Sequence, residues 1–407
     1  MIPRLEMKTG KKTYRMQDDS YERFPVTRQA FVKVSTEDTG EVSYLGFLDK
    51  MHQHMGQKIM QGEPGFSQEE TALDMGANIM NLVLGTYGFP NSQFLKWGPL
   101  FTPDFLQQNQ PRHTPEEWTK MVKEAARLYG SDLTGVARLD ERWVYSQDMA
   151  KPFVFTDEGA PEETEEAFHI PRTMNRAIVL AVQMDGEMQT HSPDMTASVA
   201  TSLGYSRMGI AAVSLAEYIR SLGFQAIPCM NDTALSIPLA VDAGLGQLGR
   251  HGLLITPEYG SNVRLCKVLT DMPLLPDEPI DFGITAFCDN CLLCAKHCPS
   301  EAISYGPRTM ESPENTGNSG VEKWYILGES CLKYWQVNGA SCANCIAVCP
   351  FTYGYESEHC EECNRCEPFL RACPLQTNTH FRKKYGYLEG TTWARRSKVI
   401  PPERRGL

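Results

Sequence analysis

Cysteines at 288, 291, 294 and 298, followed at once by Pro299, give the spacing CxxCxxCxxxCP. Three thiolates set three residues apart in a tight loop meet three irons of one [4Fe-4S] cubane, and the fourth, carried away by the proline, serves a different cluster. A second cluster is therefore expected, and Cys331, Cys342, Cys345 and Cys349, the last of them before Pro350, supply it. The exchange assigns Cys288, Cys291, Cys294 and Cys349 to one cubane and Cys298, Cys331, Cys342 and Cys345 to the other. A disulfide framework belongs to short secreted chains, and a zinc site pairs one CxxC with another. This chain has 407 residues, enough to bury a core without staples, and all but two of its 14 cysteines, Cys229 and Cys266, fall between 288 and 373. The minimal reading is an electron carrier with two clusters.

Further on, Cys360, Cys363, Cys366 and Cys373 repeat CxxCxxC with a longer final gap before Pro374. A third cluster, a zinc site and unliganded thiols all remain open for them. The composition, 42% hydrophobic and 22% charged, is that of a globular chain of two or three domains. The formal charge of -11 argues against a nucleic-acid ligand, which needs a basic face. There is no run of ~18 apolar residues and no apolar stretch of a signal peptide at the start. The tail alone is basic, with Arg382, Lys383, Lys384, Arg395, Arg396, Lys398, Arg404 and Arg405, and reads as solvated surface or as a docking segment for anionic lipid or a partner.

An electron carrier needs about 60 to 80 residues, yet some 280 precede these cysteines, so a second cofactor is expected there. The first 150 residues show few strand signals. Phe89, Phe94, Trp97, Phe101 and Phe105 crowd around Pro90, Pro99 and Pro103, which suits a loop-rich wrap, its aromatics either core or the lining of an apolar pocket. From 176 the pattern sharpens. Ala177 to Val182 is a buried strand, and Met208, Ala212, Leu215, Ile219 and Leu222 mark one helix face closed by Gly223. Strands at 224–229, 253–256 and 264–269 and a helix at 236–243 complete an α/β or α+β pattern. Gly244, Gly246 and Gly249 match GxGxxG, but a helix precedes and a strand follows, the reverse of a dinucleotide site. A glycine turn that lets backbone approach a flat ligand is the expectation instead.

Three stretches, GLGQLGRHGLLITPEYGSNVRLCKVLTDMPLLPDEPIDFG, FCDNCLLCAKHCPSEAISYGPRT and CLKYWQVNGASCANCIAVCPF, resemble the catalytic subunit of the corrinoid-dependent reductive dehalogenases of organohalide respiration. The likeness runs from about 190 to 352. It implies an α+β protein with a nitroreductase-like α/β corrinoid-binding domain and a ferredoxin-like domain of two [4Fe-4S] clusters. The corrinoid, a cobalamin, would be bound base-off, since DxHxxG, the motif that brings a histidine to cobalt, is absent. Four regions are then expected: residues 1–150 as an N-terminal wrap contributing to the substrate and corrinoid pocket, 151–281 as the corrinoid-binding core, 282–352 as the cluster domain, and 353–407 as a Cys-rich then basic tail. By motif, the family's proton-donating tyrosine falls at Tyr205 in LGYSRM, its polar partner at Asn231 in CMNDTALS, and its active-site arginine at Arg264 in GSNVRL. Gly244, Gly246, Gly249 and Asn262 are grouped with them as cofactor-binding.

The implied reaction replaces carbon–halogen by carbon–hydrogen with two electrons from Co(I) and the clusters and one proton from the tyrosine. A phenol, ordinarily of pKa ~10, releases its proton at neutral pH when a cation stabilises the phenolate, and the resemblance puts Arg264 there. The implied partners are a small organohalide, a low-potential electron donor and a membrane anchor protein. The implied place is the outer face of the cytoplasmic membrane, held peripherally, with the sequence a processed form that lacks its twin-arginine signal. A cytoplasmic location is the alternative. Two other readings compete: an epoxyqueuosine reductase-like corrinoid and iron-sulfur enzyme, disfavoured by the acidic charge, and a non-catalytic iron-sulfur electron-transfer subunit, which would have no use for cobalt.

Overall fold

The computed structural model describes residues 8–17, 21–37, 44–84, 95–107 and 110–353. The expectations for Phe89 and Phe94, for Cys360, Cys363, Cys366 and Cys373, and for the basic tail lie outside these residues. The chain is α+β. At its centre stands an antiparallel sheet of Leu133–Arg138 (β1), Arg176–Gln183 (β2), Ala226–Cys229 (β3) and Val263–Thr270 (β4), in the order β1-β2-β4-β3. Successive residues of a strand face opposite ways, and on β2 both faces are covered. Ala177, Val179 and Ala181 enter the core on one side, while Ile178, Leu180 and Val182 enter the core on the other. A strand buried on both faces has no polar positions to alternate with, which explains the unbroken apolar run.

Gln68–Leu84 (α1) packs on Met195–Ser221 (α3), and α3 with Pro115–Leu128 (α2) and Ser236–Asp242 (α4) covers the sheet. Trp118, Val122 and Ala126 of α2 and Met208, Leu215 and Ile219 of α3 fill one face, and Leu239, Ala240 and Val241 of α4 fill the other. The α3 helix is far longer than the expected face around Met208–Ile219. It starts at the Asp194 N-cap, whose carboxylate accepts from Thr196 N at 2.9 Å and Ala197 N at 3.3 Å. Its first two turns, Thr196–Thr201, are small buried residues without an apolar period, so periodicity could not show them. Its end is as expected, with Gly223 at φ 84° just beyond the last turn.

The N-terminal third differs from the loop-rich wrap expected for 1–150. Besides α1 and α2 it holds the helix Tyr44–Met60, and β1 belongs to the central sheet, so the boundary expected at 150/151 is overturned by strand pairing. The signal for α2 stood in the sequence: Thr114 and Glu117 form a capping box, with bonds of 3.3 and 2.8 Å, and Pro115 opens the helix. Among the aromatics near the prolines, Trp97 is core, stacked on Phe153 at 6.2 Å, while Phe101 and Phe105 are exposed. The segment that does wrap is shorter. Lys8–Thr9 pairs with Ile280–Asp281, and Tyr14 and Tyr21 set their edges on Trp143 with ring centres 5.7 and 5.5 Å away.

From Phe282 the chain leaves the sheet for the short helices Ile284–Asn290 and Leu293–Lys296, the longer Gly328–Asn338 (α5) and the turn of helix Asn344–Ala347. These carry the cysteines of the cluster module. Ile255 of the α/β unit joins Phe282, Phe287 and Phe351 in a shared core, fixing module to sheet.

One contact between helices has a pH signature. Asp74 of α1 accepts from Ser202 Oγ of α3 at 2.8 Å, and burial pushes its carboxyl up to about 6 from 3.8. Between those values the folded chain holds a proton that the unfolded chain has lost, so stability falls as pH rises through this window and stays lower above it. Asp74→Asn removes the buried charge. It is expected to raise stability by about 2 to 3 kcal/mol at pH 8 and by little at pH 4. Denaturant unfolding at the two pH values checks this, and an equal shift at both would show that the buried charge is not responsible.

Candidate active site and cluster module

Tyr205 lies on α3 one turn after Thr201, and residues four apart share a helix face. Its hydroxyl accepts from Asn231 Nδ2 at 3.1 Å. Arg264, reaching across from β4, places its guanidinium carbon 4.7 Å from the centre of the Tyr205 ring and donates from Nη2 to Thr201 Oγ1 at 3.3 Å. The three residues singled out by motif therefore meet in one place. The guanidinium lies over the ring face, where it interacts through the π-system. Gly204 makes that approach possible: a Cβ there would sit 2.9 Å from Arg264 Cγ.

Asn231 is presented by a strained turn after β3. Thr233, a β-branched residue, stands at φ 62°, in the left-handed region that such side chains avoid. Asp232 beneath it accepts from Met230 N at 2.6 Å, and the wholly buried Lys267 of β4 donates to Met230 O at 2.5 Å and Ser236 Oγ at 3.1 Å. Burial pushes the Asp232 carboxyl up, opposed by the Lys267 charge, and pushes the Lys267 ammonium down. Neither residue stood out in the sequence. A lysine inside the strand 263–270 was the available sign, since a cation at an inward position needs a buried partner.

Tyr205 and Asn231 open into a cavity of about 540 Å³. One wall is the α/β unit, with Leu235, Ser236 and Pro238; another is the N-terminal segment, with Tyr14, Phe24 and Phe31; the third is the cluster module, with Trp324, Leu332 and Trp335. Leu332 and Trp335 belong to α5, which also carries Cys331. Space of this shape between two units, apolar with a few polar groups, suits a broad organic cofactor. Trp324 stands on the cavity wall, and its buried indole N–H finds no acceptor among the described residues.

The glycine trio has a different explanation. A Cβ on Gly244, at φ 72°, would run into Glu278 O, one on Gly246 into Ile255 O, and one on Gly249 into the Ile255 and His251 side chains. These glycines let protein approach protein, and Leu248 and Gly252 are the residues of this turn that reach the cavity. The expectation that all three approach a flat ligand is corrected accordingly. Asn262 is buried and donates from Nδ2 to Met184 O at 2.8 Å, away from the cavity lining. The turn's unforeseen contribution is Arg250. It is buried, donates to Cys288 O at 2.9 Å, Asp289 O at 3.3 Å, Ser304 O at 2.8 Å and Gly306 O at 2.9 Å, and lies 4.7 Å over the Trp324 ring. A planar five-donor group gathers four carbonyls of the cluster loops, which an ammonium could not do.

The eight module cysteines fall into two sets by mutual influence. Cys288 is affected by Cys349 and Cys291, and Cys294 by Cys349, Cys288, Cys345 and Cys291, while Cys331 is affected by Cys342 and Cys298. Cys345 sits where the sets adjoin and feels Cys342, Cys331, Cys298 and Cys349. Burial pushes the thiols of Cys288, Cys291, Cys294, Cys331, Cys342, Cys345 and Cys349 up, Cys331 and Cys349 to about 12, so that without metal these would keep their protons. Among the described residues no three His, Cys, Asp or Glu converge tightly enough to hold a single metal ion. Thiols spread over a cubane are wider apart, each on its own iron. Trp335, which lines the cavity, stands one turn after Cys331 on the same helix.

Residues 287–353 match a 4Fe-4S dicluster domain, and residues 129–274 match the reductive dehalogenase subunit family. The chain is 38% identical over 372 residues to the tetrachloroethene reductive dehalogenase of Sulfurospirillum multivorans, covering 83% of this chain and 74% of that one. The chain belongs to the reductive dehalogenase family. Its members are enzymes. Within the family it is also 37% identical over 287 residues to the tetrachloroethene reductive dehalogenase of Dehalobacter restrictus, covering 62% of this chain and 52% of that one. In fold it is similar to the solved catabolic reductive dehalogenase NpRdhA, with a TM-score of 0.62 at 21% identity, over 87% of this chain and 45% of that one. This reductive dehalogenase family chain thus spans about half the length of the Dehalobacter enzyme and of that structure. The match from 129 begins just before β1, in agreement with the strand pairing that overturned the boundary at 150/151.

Proposed function

We propose that the chain replaces a carbon–halogen bond of an organohalide by carbon–hydrogen at the Tyr205 end of the cavity. The balance is one substrate, two electrons and one proton giving one halide and one product with hydrogen in place of that halogen. The carrying observation is that Tyr205 and Asn231 open into the same cavity as Trp335, on the helix that bears Cys331. A corrinoid, when bound, would supply the two electrons to the carbon–halogen bond, and the cavity walls named above would hold it. Cys288, Cys291, Cys294 and Cys349 would hold one [4Fe-4S] cluster and Cys298, Cys331, Cys342 and Cys345 the other, the second set lying toward the cavity wall.

The residues' own work is proton delivery. Tyr205 holds the proton, Asn231 orients its hydroxyl by donating to it, and Arg264 over the ring face favours the phenolate left behind. Tetrachloroethene is the first substrate to assay, because the two relatives above are named for it. Anaerobically purified chain is expected to carry about eight irons and one cobalt and to release halide with a low-potential reductant. About twelve irons would add a cluster at Cys360, Cys363, Cys366 and Cys373. Full activity without cobalt would overturn the corrinoid reading.

The resemblance also supports a place on the outer face of the cytoplasmic membrane, through a small membrane partner and fed by a low-potential donor. Among the described residues no helix is long and apolar enough to cross a membrane. Protection of the chain from protease in intact spheroplasts would overturn the outer-face assignment.

A further inference from the structure

The cavity beside Tyr205 is lined by three charged residues, Arg308, Glu322 and Lys323. Arg308 Nη1 and Glu322 Oε2 pair at 3.1 Å and cancel. Lys323 does not share in this. Its ammonium meets no carboxylate among the described residues and instead sits 4.7 Å over the Tyr325 ring. That ring is itself fixed, because its hydroxyl is committed to the backbone carbonyls of Met310, Asn318 and Val321. The backbone of Lys323 is pinned too, exchanging bonds with Thr309 at 2.9 and 3.1 Å. The cavity thus presents one positive charge with no carboxylate partner among the described residues. Burial lowers its pKa to about 8, so at neutral pH it remains charged at a desolvation cost that a bound anion would relieve.

A complete corrinoid has neutral amides around its ring and one anionic group, the phosphodiester of its nucleotide tail. We propose that Lys323 is an anion-binding residue of the cofactor cavity and that the group it takes is this phosphodiester. The inference rests on the corrinoid reading above. An ammonium on a cavity wall recognises phosphate by charge and hydrogen bonding without a bidentate fork, which is what a lysine offers. It would anchor the tail on the cluster-module wall, while Tyr205 and Asn231 stand on the α/β side of the same space.

The test compares cobalamin with cobinamide, which has the same ring but no phosphodiester tail, on the full chain loaded with clusters and produced without corrinoid. Binding is read from the corrinoid absorbance, independently of activity. Lys323→Met is expected to weaken cobalamin binding by roughly 10- to 100-fold and to leave cobinamide binding unchanged. Lys323→Arg, which keeps the charge, is expected to retain most of the cobalamin affinity. Equal losses for both corrinoids would make Lys323 a packing residue and overturn the proposal. Unchanged binding of both, together with altered inhibition by added chloride, would assign the ammonium to the departing halide and overturn it as well. A wild-type chain that takes up neither corrinoid would overturn the cofactor reading itself, which separates that failure from failure of the lysine assignment.

Discussion

Tyr205→Phe is expected to lower halide release by roughly 10²- to 10⁴-fold while iron and cobalt content stay at wild-type levels. The substitution keeps the ring, so the Arg264 contact over its face and the packing of α3 survive, and only the hydroxyl held by Asn231 is removed. Loss of rate without loss of cofactor then reports proton delivery. Arg264→Lys is a companion with an intermediate outcome: the charge remains, but the flat stacking and the bond to Thr201 Oγ1 do not. Near-wild-type turnover of fully loaded Tyr205→Phe would remove the phenol from the mechanism and leave solvent as the proton source.

The parts of the fold that were legible in the sequence are those in which one physical demand dominates. β2 could be read because burial on both faces leaves a pure apolar run, and β4 is likewise buried without a break from Cys266 to Thr270. The N-terminal half of α3 could not, because Thr196–Thr201 are small residues chosen for close approach, and such a face has no period. The α2 helix was legible and passed over: its capping box and N-terminal proline are local signals that the surrounding aromatic and proline clusters obscured. Tyr205, Asn231 and Arg264 are 59 residues apart end to end and carry no mutual spacing rule. Only the family motif singles them out, and the geometry then explains Gly204 beside them. Lys267, Asp232, Arg250 and Lys323 are charged residues whose meaning depends on what surrounds them after folding. Only for Lys267, inside a strand, does the chain itself carry a sign that sets it apart from surface charge.

Cys298→Ser and Cys345→Ser are both expected to abolish the signal of one cluster, the same one in each, and to remove about four of about eight irons, while Cys294→Ser and Cys349→Ser abolish the other. Cys345 is the decisive position. It lies where the two thiol sets adjoin, feeling Cys349 as well as Cys298, Cys331 and Cys342, so proximity along the fold alone does not assign it. Its place rests on the exchange rule, by which the cysteine before each proline crosses over: Cys298 joins the downstream set and Cys349 the upstream one. The downstream set is also the one beside the cavity, through Cys331 and Trp335, so its loss should stop turnover even though the other cluster remains reducible. Paramagnetic spectra of the four variants, taken after controlled reduction, check this. If Cys298→Ser and Cys345→Ser erase different clusters, the chain does not exchange its proline-flanked ligands, and the order in which electrons approach Tyr205 has to be redrawn.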